Sequence, residues 1–206
     1  MIGLVFSTEE EAAPFLSRYQ RGRFEGLAEG EISHDDQVLV ALTGTGKIKA
    51  TLRTERMLRA HRVHRLLHPG TGTALADALE TGALVAASQV FEGDRVTLAR
   101  PTYPRMPLDV PFEALPTVTL VTQDHTVQGQ EEHTYWQRIA DVSDMSGYAV
   151  AYVAATHGVP CHIVKVITGR FGGEDPDFRK TLAGACDALA TFLIEEMDAL
   201  LQDGGR

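Results

Sequence analysis

The sequence predicts an α/β layered domain with a mixed or largely parallel sheet. Three observations carry that expectation. Short apolar runs alternate with stretches of helical period, and glycine-rich turns follow several of the runs. The length of 206 residues suits a single domain over 1–206. The first run, residues 2–6, reads as a strand. It is too short for the apolar core of a signal peptide and no basic stretch precedes it, so the cytoplasm is the default compartment.

A helix from Glu9 to Tyr19 follows, with Thr8 as its N-cap and three glutamates at the positive end of its dipole. Residues 24–33 and 37–43 read as two strands around the turn signal Asp35-Asp36, and Gly44-Thr45-Gly46 leads into a helix over 47–60. Residues 63–67 suit a buried strand, followed by a second glycine-rich turn at Pro69-Gly70-Thr71-Gly72-Thr73. Residues 84–91 and 117–121 read as strands. Between them stand Pro101, Pro104, Pro107, Pro111 and Pro116, which exclude a central strand or long helix and suggest a loop or lid-like excursion. A polar helix over 129–140 precedes a buried, alanine-rich one over 145–157, stopped by Gly158 and Pro160. Residues 161–167 form an apolar strand broken only by Lys165. After a loop through Gly169, Gly172 and Gly173, Pro176 opens a terminal helix with the stripe Phe178, Leu182, Ala185, Leu189, Phe192.

Composition narrows the function classes. The chain is 44% hydrophobic, which excludes a disordered polymer. No apolar run approaches the ~20 residues of a membrane span. A formal net charge of −9 argues against a nucleic-acid binder. Cys161 and Cys186 are too few for a disulfide framework and have no metal-ligand spacing, so both read as buried small hydrophobes. In α/β sheets ligands gather at the carboxyl ends of strands. That rule singles out residues 7–11, 44–46, 70–73 and 168–173, joined by 144–147 at the start of the buried helix.

Four of these segments together resemble the purine nucleoside phosphorylase/uridine phosphorylase superfamily. The similarity is greatest to its hydrolytic branch, the methylthioadenosine/adenosylhomocysteine nucleosidases and futalosine hydrolases. The segments are the opening strand with Glu9-Glu10-Glu11, the turn Thr43-Gly44-Thr45-Gly46-Lys47, the run Gly70-Thr71-Gly72-Thr73-Ala74-Leu75, and Asp144-Met145-Ser146-Gly147, where the family has "(E/D)MEG". Their order holds from residue 2 to about 200. The resemblance implies a three-layer α/β/α sandwich around a mixed, mostly parallel twisted sheet. It also implies a homodimer, and cleavage of a nucleoside N-glycosidic bond without metal or organic cofactor.

Carried over residue by residue, Glu11 matches the water-activating carboxylate, while Glu9 and Glu10 read as solvated first-turn acids. Gly70 and Thr71 match the turn that approaches the nucleophile, and Met145 the methionine that packs on the sugar. Asp124 and His125 fall where the family places base-contacting backbone. Two positions depart from the pattern. The family's ribose-binding glutamate is Ser146 here, a short neutral side chain that cannot grip a diol with two oxygens. Its base-side carboxylate is Gly169, with the fixed charge of Arg170 next door. Both losses make methylthioadenosine and adenosylhomocysteine expected poor substrates. They leave three readings: a nucleosidase with a changed substrate, in which Arg170 meets an anionic leaving group and Glu174, Asp175 or His125 replaces the acid; a non-catalytic binding or partner subunit; and a phosphorylase, against which the acidic start of the first helix argues.

Overall fold

The computed structural model describes residues 1–94, 103–173 and 175–203. In chain order these form β1 (Ile2–Phe6), α1 (Glu9–Arg18), β2 (Ile32–His34), β3 (Val38–Leu42), α2 (Lys47–Ala60), β4 (Arg65–Ala74), β5 (Leu84–Glu92), β6 (Arg105–Pro107), β7 (Thr117–Thr122), α3 (Gly129–Trp136), β8 (Val142–Asp144), α4 (Gly147–Thr156), β9 (Cys161–Arg170) and α5 (Phe178–Asp203). The strands build one mixed sheet in the order β2-β3-β1-β4-β8-β7-β5-β6, with β9 joining β4 to β5. The pairs β1·β3, β1·β4, β4·β9, β5·β7 and β7·β8 are parallel, and β2·β3, β4·β8, β5·β6 and β5·β9 antiparallel. One half of the sheet therefore closes on itself through β4, β9, β5, β7 and β8, a curvature that no local pattern in the sequence announces.

Layering follows from strands that are apolar on both faces. Ile2, Leu4 and Phe6 of β1 pack with Phe15 and Leu16 of α1 and with Leu189 and Leu193 of α5. Val5 faces the opposite side, with Met57 of α2 and Val150 and Ala154 of α4. The expected sandwich is thus present, with α1 and α5 on one face and α2 and α4 on the other. A third cluster, Leu75, Val121, Trp136 and Ala140, seats α3. Cys161 and Cys186 are buried free thiols, as their surroundings implied. Among the described residues no helix is long and apolar enough to cross a membrane.

Several elements differ from the sequence expectation, each for a physical reason. Residues 24–31 are turns rather than strand, because Gly26 and Gly30 take φ of +85° and +91°. Gly70 and Gly72 are not in a turn. They lie inside β4, opposite Lys165 and Ile167 of β9, with no positive φ. The alanine-rich helix starts at Gly147, because Val142–Asp144 pair with β7 and β4 as β8. The cysteine-led strand runs on past Ile167 to Arg170. In the proline-rich segment, residues 100–102 lie outside the described residues. Its described part is no lid: Arg105–Pro107 pairs on the outer edge of β5, and Phe112 is buried against Phe192.

The buried stripe of α5 is Ala185, Cys186, Leu189, Ala190, Leu193, Met197 and Leu200. Phe178, expected in that stripe, is instead 48% exposed at the helix start. Leu189→Ala should therefore destabilise the fold by about 2–5 kcal/mol in chemical denaturation, and Phe178→Ala by no more than about 0.5 kcal/mol. Equal effects would contradict this assignment of faces.

Candidate active site

A cavity of about 350 Å³ opens at the carboxyl ends of β1, β4, β7, β8 and β9, where the topology of an α/β sheet places ligands. The sheet itself makes the opening. β1 pairs with β4 only from Ile2–Leu4 to Arg65–Leu67. Beyond that the strands part, since Pro69 has no N–H to donate and the Val5 carbonyl is taken by the His68 imidazole at 2.7 Å. Of the residues singled out in the sequence, Glu11, Thr71, His125, Met145, Ser146 and Arg170 line the cavity.

Glu11 is buried at 5% exposure, whereas Glu9 and Glu10 face solvent. Its carboxylate belongs to two structures at once. Oε2 accepts the backbone N–H groups of Ser7 and Thr8, each at 3.1 Å, while the Thr8 hydroxyl accepts the Glu11 N–H, completing a capping box at the head of α1. Oε1 accepts the Thr71 N–H at 2.7 Å and the Thr71 hydroxyl at 2.8 Å, across the gap between β1 and β4. Gly70 makes this approach feasible. A Cβ there would stand 3.0 Å from both Glu11 Oε1 and Lys165 Nζ, so the glycine serves close packing and not a turn.

Behind Glu11 runs a buried polar chain. Ser146 Oγ lies 2.8 Å from Ser7 Oγ and 3.0 Å from His68 Nε2. His68 Nε2 also faces Lys165 Nζ at 3.1 Å, and Lys165 pairs with Asp144 at 2.9 Å. Asp144 in turn accepts the Thr122 hydroxyl at 2.6 Å and the Gly147 N–H at 2.8 Å, while the Thr122 hydroxyl accepts the Tyr148 N–H. Asp144 and Thr122 thus cap α4, and Ser146, which stands at the N-cap, makes no cap bond and turns to the chain instead. Burial would raise the Asp144 carboxyl, but the Lys165 ammonium and the donated hydrogen bonds hold it low. Burial, reinforced by the Lys165 charge, pushes the His68 imidazole down to about 3.

His125, Arg170 and Phe171 line the cavity away from Glu11. Gly169, where the resemblance implies a carboxylate, is not among the lining residues, and a Cβ there would meet nothing within 4 Å. Arg170 stands at the rim, its guanidinium donating to the Asp77 carbonyl at 2.6 Å, with the Asp77 carboxylate at 3.8 Å. Phe171 lines the cavity and stacks on His133, ring centroids 4.3 Å apart and nearly parallel. His125 sits between two carboxylates, Nε2 at 2.8 Å from Glu132 and Nδ1 at 3.4 Å from Asp94. Burial would raise Glu132, but hydrogen bonds from the Gln128 N–H, His125, Gln123 and Trp136 outweigh it and hold the carboxyl at about 2.

Asp124 does not join this end. Its N–H is donated to Asp94 and its carboxylate accepts the Lys47 N–H, both at 2.8 Å, so its N–H is not free for a ligand. Of the acids considered as substitutes, Glu174 lies outside the described residues, and Asp175 is exposed, accepting the Asp177 N–H at the approach to α5. Among the described residues no cluster of His, Cys, Asp and Glu is spaced to hold a metal ion.

Sequence reasoning missed His68 and Lys165 as site residues, and singled out Ser7 only as part of the segment 7–11. For Lys165 a signal existed: one lysine interrupting a strand otherwise buried on both faces has to find a buried partner. His68 had no such signal, because its segment read as the lead-in to a turn.

His68 yields a pH prediction. Its imidazole titrates near 3 in the fold and near 6.5 in the unfolded chain, so above pH 6.5 it has no effect. As pH falls below 6.5 the unfolded chain binds a proton that the native chain does not, and stability drops by up to about 1.4 kcal/mol per pH unit from this group. His68→Asn should therefore show a flatter dependence of unfolding free energy between pH 6.5 and 5 than the parent chain. His61, His64 and His162, which are shifted in the same direction, contribute equally to both proteins. Parallel profiles would contradict a buried, uncharged His68.

The chain is 25% identical over 229 aligned residues to the aminodeoxyfutalosine nucleosidase of Helicobacter pylori, covering 97% of this chain and 99% of that protein. Among solved structures, its fold is similar to that of 5′-methylthioadenosine/S-adenosylhomocysteine nucleosidase from Helicobacter pylori with butyl-thio-DADMe-Immucillin-A. That likeness has a TM-score of 0.78 and 22% identity, over 97% of this chain and 98% of that one. Arabidopsis thaliana 5′-methylthioadenosine nucleosidase in apo form gives a TM-score of 0.80 at 20% identity, over 100% and 96% of the two chains. Residues 1–195 match the sequence profile of the phosphorylase superfamily, and the chain belongs to that family.

Proposed function

We propose that this protein is a nucleosidase that hydrolyses the N-glycosidic bond of a purine-type nucleoside with a modified substituent. The observation that carries this reading is the Glu11 carboxylate, buried at the cavity wall and fixed by Thr71 from β4. Reorientation of the Thr71 hydroxyl frees a lone pair of Oε1 for a water. Glu11 then takes a proton as the water oxygen bonds to C1′, and the electron pair of the breaking C–N bond passes to the base. Met145 and Ser146 bound the sugar, and Phe171 offers the base a flat apolar surface.

The leaving base is not protonated by a carboxylate at position 169. Its charge is met by Arg170 at the rim, the residue that favours an anionic or carboxylated substrate. The relatives named nucleosidases support hydrolysis. A phosphorylase is disfavoured, because the cavity's inner cation, Lys165, is already paired with Asp144, and Glu11 would repel a phosphate.

We also propose a homodimer. Ile48 and Leu52 of α2 and Tyr152 of α4 are 74%, 64% and 55% exposed, on two helices packed side by side. Both helices start at the cavity, so the joined face would adjoin the site.

Two experiments test these readings. Purified protein incubated with a nucleoside panel should release free base without phosphate, acting poorly on methylthioadenosine and adenosylhomocysteine. Glu11→Gln should lower turnover by at least about 10²-fold. Phosphate-dependent release, or a Glu11→Gln variant of full activity, would overturn the mechanism. In sedimentation, the parent chain should run as a dimer and the Ile48→Glu/Leu52→Glu variant as a monomer. A monomeric parent, or a variant that still dimerises, would exclude this face.

A further inference from the structure

We propose that Ser146, backed by Ser7 and His68, is the sugar-specificity residue of this site. It grips one sugar hydroxyl through a neutral hydrogen bond, so the enzyme accepts 2′-deoxyribonucleosides about as well as ribonucleosides. This rests on the nucleosidase reading and adds the class of sugar.

The argument is one of donors and acceptors. The Val5 carbonyl can only accept, so His68 Nδ1 carries the proton of their 2.7 Å bond. The ring is fully buried and uncharged, so Nε2 is a bare acceptor. It faces Lys165 at 3.1 Å and the Ser146 hydroxyl at 3.0 Å. Ser146 is therefore oriented from behind, with Ser7 at 2.8 Å beside it, and both residues line the cavity. What the pair presents to a sugar is neutral.

Among the described residues no other lining group offers a free carboxylate. The Glu11 carboxylate already accepts four hydrogen bonds from Ser7, Thr8 and Thr71. Asp144 is committed to Lys165, Thr122 and Gly147. A carboxylate gripping a diol penalises a missing 2′-hydroxyl by up to about a hundredfold, whereas a lost neutral bond costs about tenfold or less. Removing the 2′-hydroxyl also removes an electron-withdrawing group beside C1′, which eases formation of the oxocarbenium-like transition state. The two effects oppose each other, and the expected preference is small.

The test compares matched pairs, adenosine with 2′-deoxyadenosine and inosine with 2′-deoxyinosine. The ratio of kcat/KM within a pair is read, since it is insensitive to the folded fraction of a variant. The parent should favour the ribonucleoside by no more than about tenfold, and Ser146→Ala should move the ratio further toward the deoxynucleoside. A parent preference above about tenfold, or an unchanged ratio in Ser146→Ala, overturns the proposal. The same pairs titrated calorimetrically against Glu11→Gln protein give the ratio as Kd without turnover. Failure to cleave any nucleoside would thus strike the nucleosidase reading alone, with the Kd ratio judging Ser146. Binding of neither member of either pair would overturn both.

Discussion

One carboxylate joins the parts of this structure. Glu11 closes the capping box of α1 with one oxygen and holds Thr71 of β4 with the other. The first role fixes how α1 leaves the sheet, and the second keeps the parted ends of β1 and β4 at a set distance. An acid in the first turn of a helix is ordinarily solvated and weakly stabilising. This one is buried because Gly70 lets it approach the strand and because four donors meet it. Folding and site construction depend on the same hydrogen bonds.

The second constraint is electrostatic. Lys165 and Asp144 form an ion pair with each side chain only 2% exposed. Such a pair is costly to desolvate and tolerable only when the remaining donors and acceptors are matched. Here Thr122, Gly147 and His68 do the matching. The pair ties β9 to the end of β8 and the head of α4, so it anchors three walls of the cavity. With His68 uncharged, the chain of groups from Ser146 to Asp144 carries no net charge.

Most of the fold was legible from local pattern. Strands buried on both faces and helices with an N-cap or a glycine stop obey short-range rules, whereas the proline-rich segment read as a loop and supplies an edge strand. What was not legible depended on long-range pairing. The glycines of β4 read as a turn because turn chemistry and close strand packing use the same residue, and only the partner strand distinguishes them. β8 is three residues long and exists through its neighbours β7 and β4. At the site, Glu11, Thr71, Met145, Ser146, His125 and Arg170 were found by motif order and do share one cavity. Asp124 is not among the lining residues, its side chain and N–H being used by Lys47 and Asp94, which lie far away in sequence. His68 was invisible since its importance is relational, coming from a carbonyl on one side and a hydroxyl and an ammonium on the other.

The central claim is that Glu11 directs water, and nothing else, onto the anomeric carbon. Its most direct test is turnover in ¹⁸O-enriched water with phosphate present. The account predicts one ¹⁸O atom at C1 of the released sugar, none in the base, and no sugar 1-phosphate. A sugar 1-phosphate product, or a free sugar without label when analysed before anomeric exchange, would contradict it.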